Sequence, residues 1–236
     1  MQLYFKSPNI ARGTCYTIDE SCFAITDRLP YIHKLCEEEE IIDKINKNEE
    51  GYFDFTKALI DIGAEDGNYA MLTNFSKNYC FEPNKRMCCL IYTNMYLRNK
   101  VEDTEVFNVA LGEIEGEEMI FDGFQQKLEI KEGMSLKRCG KNGIEIIHKK
   151  TLDSYNIKNV GLIKTDTEGF DYFVLKGGEH TIIENNYPPI LFERWAIGYA
   201  DQTPENYEKL TNYIKSLGYT IIDNWGDHET HLAIKL

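Results

Sequence analysis

Ala58-Leu59-Ile60-Asp61-Ile62-Gly63-Ala64-Glu65-Asp66-Gly67-Asn68 runs from an apolar segment through two glycines into a region of helical character. The run Ala58 to Ile62 reads as a buried strand, the glycines as a tight turn, and residues 67–77 as the helix that follows. Glycine accepts backbone conformations and close approaches that a Cβ forbids, so Gly63 and Gly67 suit a turn passing near a ligand. Asp61 sits at the carboxyl end of the strand, where open α/β sheets bind their ligands.

Outward from this turn, strands and helices alternate, which points to a parallel sheet covered on both faces. A second strand, Asn78 to Phe81, ends at Glu82-Pro83, and a helix follows from Asn84 to Arg98. Glu105 to Val109 reads as a third strand running into Ala110-Leu111-Gly112, and Glu117 to Phe121 as another short one. Val160 to Lys164 and Pro189 to Phe192 are further main strands. The chain then reads as a helix over Pro204 to Leu217, a strand over Tyr219 to Ile222 and a strand over His231 to Ile234. Two strands joined without a helix predict a closing antiparallel hairpin.

The glycine spacing separates two classes of ligand. A dinucleotide fingerprint requires Gly-x-Gly-x-x-Gly, whereas Ala64, Glu65 and Asp66 lie between Gly63 and Gly67. Acids at Glu65 and Asp66 would also repel a pyrophosphate on the helix N-terminus. S-adenosylmethionine carries no phosphate and bears a sulfonium cation, so it tolerates carboxylates nearby. Gly63, Ala64, Gly67 and Asn68 are therefore read as the turn around this cofactor, with Asp61 beside them, the alternative being a plain strand-to-helix turn without a ligand. Glu82 lies twenty-one positions after Asp61 at the next strand end, where an acid can accept hydrogen bonds from both ribose hydroxyls. Pro83 completes that edge, and Asn108, Val109 and Ala110 are positioned to flank the adenine, or simply to finish a strand.

A second dense cluster is Ile163-Lys164-Thr165-Asp166-Thr167-Glu168-Gly169-Phe170-Asp171, again an apolar strand running into carboxylates and a glycine. Asp166 and Glu168 emerge at the same sheet edge as Asp61. They can supply a general base, or hold a divalent metal, since hard cations take carboxylate oxygens. Glu168 can equally cap the following helix. Glu193, ending the strand at Phe192, is a third candidate base, and His148 a fourth. Trp195 and Tyr199 can offer a sugar-stacking face or pack in the core.

Composition bounds the rest. At 236 residues and 42% apolar content the chain can bury a sizeable core. A net charge of −13 argues against a nucleic-acid backbone as partner. No apolar run is long enough to span a bilayer, and Met1 to Ala11 lacks the apolar core of a signal peptide. Seven cysteines without a Cys-x-x-Cys pair suggest reduced thiols and a cytoplasmic protein. Residues 1–55 read as an N-terminal extension, a cap, lid or dimer contact, with a helix near Tyr31 to Asn46. Within it Glu37-Glu38-Glu39-Glu40 reads as a solvated face. Residues 56–236 form the main domain, interrupted at 122–150 by a glycine-punctuated, irregular excursion richer in cations than in acids. That excursion is either a surface hairpin or a substrate loop.

Several of these pieces occur together in the order Leu59-Ile60-Asp61-Ile62-Gly63-Ala64, Phe81-Glu82-Pro83, Asn108-Val109-Ala110-Leu111-Gly112 and Leu152-Asp153-Ser154. Ile163-Lys164-Thr165-Asp166-Thr167-Glu168-Gly169, Val174-Leu175-Lys176-Gly177-Gly178 and Pro189-Ile190-Leu191-Phe192-Glu193 follow. This series resembles the FkbM family of S-adenosylmethionine-dependent methyltransferases over residues 57–195, with Lys-x-Asp-x-Glu-Gly its most specific element. Thr165 and Thr167 stand where the family usually has aliphatic residues, and Glu65-Asp66 is unusually acidic. The resemblance implies a class I methyltransferase Rossmann-like fold. That fold is a mostly parallel seven-stranded sheet with a C-terminal antiparallel strand and helices on both faces, here with an N-terminal helical extension. It implies S-adenosyl-L-methionine as cofactor, with Asp166 near it, and methyl transfer to a hydroxyl, foremost of a sugar in a glycan or glycosylated small molecule. The alternatives are a polyketide-like acceptor and a non-catalytic cofactor-binding module.

Overall fold

The computed structural model describes residues 4–5, 16–17, 38–120, 145–194 and 204–235. Two short strands, β1 (Tyr4–Phe5) and β2 (Tyr16–Thr17), pair antiparallel. Helix α1 (Glu39–Lys47) has Glu39 and Glu40 in its first turn and Lys44 and Lys47 in its last. Both arrangements suit the helix dipole. The helix stops where Asn48 turns left-handed, at φ 47°, and its side chain bonds both ways with the Phe53 backbone. Residues 31–37, where the sequence predicts an earlier helix start, lie outside the described residues.

The centre is an alternating series: β3 (Ala58–Ile62), α2 (Asn68–Leu72), β4 (Lys77–Phe81), α3 (Lys85–Leu97) and β5 (Thr104–Phe107). After it come β6 (Ala110–Leu111), β7 (Gly116–Ile120), β8 (Glu145–Lys150) and β9 (Val160–Thr165). The series ends with α4 (Asp171–Lys176), α5 (Glu179–Glu184), β10 (Ile190–Glu193), α6 (Pro204–Ser216), β11 (Thr220–Ile222) and β12 (Thr230–Ile234). Seven strands form one sheet in the order β11-β12-β10-β9-β3-β4-β5. β12 runs antiparallel to both neighbours, and the other pairings are parallel. The class I methyltransferase arrangement read from the sequence is therefore present, including its closing hairpin.

Side chains alternate across each strand, so each contributes to both faces. Leu59, Leu162 and Leu191 pack with Ile41 and Ile45 of α1, Ala70 of α2, and Ile91 and Met95 of α3. Ile60, Ile163 and Phe192 pack on the other face with Val174 and Leu175 of α4, Ile182 of α5 and Ile214 of α6. Burying such side chains contributes about 1.5–3 kcal/mol each before entropy is counted.

Three details differ from the sequence reading. Helix α2 ends at Leu72, well short of residue 77, because Thr73 is extended and its hydroxyl bonds the Tyr69 carbonyl. The third main strand ends at Phe107 rather than Val109, and Ala110–Leu111 leaves the main sheet to pair with β8. Residues 145–150, read as part of an irregular excursion, form β8, the middle strand of a second sheet ordered β6-β8-β7. Residues 121–144 lie outside the described residues.

Candidate active site

The sheet order reverses between β3 and β9, and it is beside such a reversal that doubly wound sheets form a crevice. Asp61 and Lys164 sit opposite each other across that pair. By strand parity both face the α1 and α2 side. Lys164 Nζ lies 3.6 Å from Asp61 Oδ1, 3.7 Å from Asp166 Oδ2 and 5.1 Å from the Tyr69 ring centre, and donates to the Gly63 carbonyl at 3.1 Å. The side chains of Asp61 and Lys164 are almost wholly buried. Burial raises the Asp61 carboxyl above its ordinary range, partly opposed by Lys164. For Lys164, burial pulls the ammonium down, but Asp166 and Asp61 outweigh it and leave it more basic than usual.

The turn after β3 is held from within. Gly63 N and Ala64 N donate to the Phe81 carbonyl at 2.9 and 3.2 Å, and Asp166 N donates to the Ile62 carbonyl at 3.1 Å. Gly63 has φ +69°, and a Cβ there would stand 1.8 Å from the Asp166 carbonyl oxygen. Gly67 has φ +83°, with Ile91 and Met95 side chains at 3.1 and 3.2 Å from such a Cβ. Both positions thus require glycine because of this chain's own conformation and packing. Asn68 opens α2, and Ala64 is buried.

Glu82, at the end of β4, accepts from Glu65 N through Oε2 at 3.0 Å and from Asn84 N through Oε1 at 2.7 Å. Burial is the main reason its pKa is pushed up to about 7. Pro83 leads into Asn84, whose side chain caps α3 by accepting from Arg86 N. Exposed Asn108 donates to the carbonyls of Glu82 and Pro83 at 3.1 and 2.7 Å, while Val109 and Ala110 are buried.

Asp166 is partly exposed beside Lys164. Glu168 follows it in an exposed, left-handed conformation at φ 59°. Helix α4 begins after Phe170, whose own side chain makes no cap hydrogen bond. Glu193 ends β10 with the parity of Lys164 and interacts with it electrostatically. His148 lies apart from these groups, exposed on β8 and 3.8 Å from Glu117. Trp195 and Tyr199 lie outside the described residues. Among the described residues no group of three or more His, Cys, Asp or Glu is disposed to hold a metal ion, Asp166 and Glu168 included.

The Methyltransferase FkbM domain profile matches residues 61–221, more than half of the chain. The chain belongs to the FkbM methyltransferase family. Its cofactor is S-adenosylmethionine. Among solved structures, this FkbM protein is similar to the FkbM methyltransferase of Methylobacillus flagellatus KT, at 18% identity and TM-score 0.54. That match covers 91% of this chain but only 55% of the other, so this chain spans about half the length of that relative. It also resembles an assigned caffeoyl-CoA O-methyltransferase of Staphylococcus aureus, at 13% identity and TM-score 0.51, covering 92% and 93% of the two chains. A third likeness is to an assigned S-adenosyl-L-methionine-dependent methyltransferase of Methanococcus maripaludis, at 14% identity and TM-score 0.50, covering 94% and 97%. At these identities the structural likenesses establish the fold. No curated protein matches the chain in sequence.

The residues present in this FkbM chain fit its cofactor. Among the described residues both Asp61 oxygens are buried with no partner at full hydrogen-bond distance, Lys164 Nζ standing 3.6 Å away, a costly state that a bound donor group would relieve. Each Glu82 oxygen has one amide partner and further lone pairs for ribose hydroxyls.

Two residues escaped the sequence reading. Lys164 enters the sequence pattern only as part of a motif, yet it is a lone cation in an apolar strand with the same parity as Asp61, which is a readable signal. The sequence predicts Glu38 to be solvated. Glu39 and Glu40 are exposed, but Glu38 faces Lys164 and bonds Tyr69, a placement that depends on how α1 packs and left no local trace. Among the described residues no helix is long and apolar enough to cross a membrane.

Proposed function

We propose that the protein is an O-methyltransferase whose acceptor is a hydroxyl, foremost of a sugar in a glycan or a glycosylated small molecule. The observation that carries this reading is the pairing of Asp61 and Glu82 at the ends of adjacent strands β3 and β4, with Asp166 one strand away on the other side. Bound S-adenosylmethionine supplies a methyl carbon made electrophilic by its sulfonium. In this reading Glu82 takes the ribose hydroxyls, and Asp61 and the Gly63-to-Asn68 turn take the methionine side. Pro83, Asn108, Val109 and Ala110 border the adenine.

The remaining work falls to residues at the open edge. A sugar hydroxyl is a weak nucleophile at neutral pH, so a base within hydrogen-bond reach contributes about 10²–10⁴-fold. Asp166 is the first choice, since it is partly exposed while anchored by its backbone to Ile62 and by its charge to Lys164. Glu193 is on the same sheet face, and Glu168 is the third choice. Aligning the acceptor oxygen with the methyl–sulfur bond supplies up to about 7–11 kcal/mol in well-oriented systems. The acidic balance of the chain favours an acceptor other than nucleic acid, and a cytoplasmic location suits an intracellular methyl donor.

The test is transfer of labelled methyl from S-adenosylmethionine to a panel of free and glycosidic sugars, with thiol, amine and polyketide acceptors alongside. Label in sugar ethers that disappears in Asp166→Asn is the expected result. Transfer to amines or thiols alone rejects the oxygen assignment.

A further inference from the structure

Helix α1 packs over the sheet face that carries Asp61 and Lys164. Ile41, Ile42 and Ile45 enter the core there. Lys44 donates to the Trp225 carbonyl at 2.7 Å, and Asn46 donates to the Leu72 carbonyl and accepts from Asn74 N. The residue that precedes this anchored helix is Glu38, whose carboxylate accepts from the Tyr69 hydroxyl. Glu38 shares its surroundings with Lys164, Asp166, Asp61 and Asp66. Lys164 is thus the common ammonium of four carboxylates, Asp166, Asp61, Glu38 and Glu193. Among the described residues one cation serves four carboxyl groups, so a second cation is needed to ionise them all, and buried Asp61 has no partner at full hydrogen-bond distance.

We propose that Glu38 is a specificity-determining residue of the donor pocket, whose charge favours the cationic methyl donor over its neutral product. This rests on the donor-site reading above. When the C–O bond forms and the S–C bond breaks, the sulfonium becomes a neutral thioether and the acceptor gives up its proton. The carboxylates then lose the positive partner that balanced them, while the adenosine and amino-acid contacts stay the same. Charge therefore separates donor from product where shape cannot. Glu38 is the member of the set that the N-terminal extension contributes, so the extension takes part in turnover by helping product leave.

Calorimetric titration of the 236-residue chain with S-adenosylmethionine and S-adenosylhomocysteine tests this. Glu38→Gln should lower the ratio of product Kd to donor Kd by about tenfold, the scale of one partly screened charge pair, through weaker donor binding with product binding little changed. Glu38→Ala should do the same, so the result does not hang on the folding of one variant. Tyr69→Phe, which keeps the Glu38 charge, should leave the ratio near wild type. Equal weakening of both ligands, or an unchanged ratio, overturns the assignment. Wild-type protein that binds neither ligand overturns the donor-site reading itself.

Discussion

Lys164 and Asp61 face each other across the central strand pair, with Nζ 3.6 Å from Oδ1 and both side chains buried. The same ammonium reaches the Gly63 carbonyl and Asp166. One side chain thus ties the turn after β3 to the loop after β9, the two loops that border the proposed donor.

Removing that cation should be severe. Lys164→Met leaves Asp61 and Asp166 without their shared partner and is expected to destabilise the fold by about 3–5 kcal/mol. Urea denaturation checks this, and donor binding should vanish with it. Adding Asp61→Asn to Lys164→Met should recover part of the stability. A double variant no more stable than the single one would show that the two residues are not coupled.

Burial also links stability to pH. Glu38 and Glu82 are pushed up to about 7, and Asp66 and Asp171 to about 6, desolvation being the largest cause in each case. Folded values above unfolded ones mean that the folded chain holds the extra protons. Their stabilisation is full below the ordinary carboxylate range and is lost as pH rises through 6 and 7. The melting midpoint of the ligand-free protein should therefore fall between about pH 4.5 and 7 through these groups and level off above. Saturating donor should raise the midpoint more at the upper end, because a cation favours ionised carboxylates. A donor effect that shrinks with rising pH contradicts this.

The two turn glycines should respond unequally to alanine. Both have left-handed φ, which costs about 1–2 kcal/mol for a residue with a Cβ. At Gly63 the new atom also meets the Asp166 backbone, which has no room to yield. At Gly67 its nearest neighbours are side-chain atoms of Ile91 and Met95, at 3.1 Å and beyond. Gly63→Ala should lose clearly more stability than Gly67→Ala, as well as activity, measured by urea midpoint and methyl transfer. Equal losses would point to φ alone.

Asp166→Asn should leave donor affinity within about threefold while turnover falls by about 10²–10⁴-fold, the range of a lost general base. His148→Ala should change neither, since that imidazole is exposed and, among the described residues, lies beside Glu117 away from Asp61 and Lys164. Retained turnover in Asp166→Asn would pass the role to Glu193 or Glu168.

Much of this was legible in the sequence where residues act locally. β3, β9 and β10 are largely apolar runs, and they and β4 end at acids, glycine or proline, punctuations that mark the cofactor edge. What escaped detection depended on partners far along the chain. Where helix α2 stops at Thr73, the carbonyls of Ala70 and Thr73 accept from Lys100, some thirty residues away. β5 stops at Phe107 because Asn108 turns to bond the Glu82 loop, and β6 leaves for β8. Glu38 looked like one more acid in a charged run, and only the burial of Ile41, Ile42 and Ile45 turns it inward.

The bond from Glu65 N to Glu82 has a further consequence. The acid proposed to grip the ribose also fixes the backbone of the neighbouring turn, at a residue held left-handed with φ 47°. The loop is therefore ordered during folding, when its conformational entropy is lost once, and a ligand arriving later finds it already set. Donor association should then be a near-rigid docking, with rates governed by encounter and electrostatic attraction rather than by loop closure.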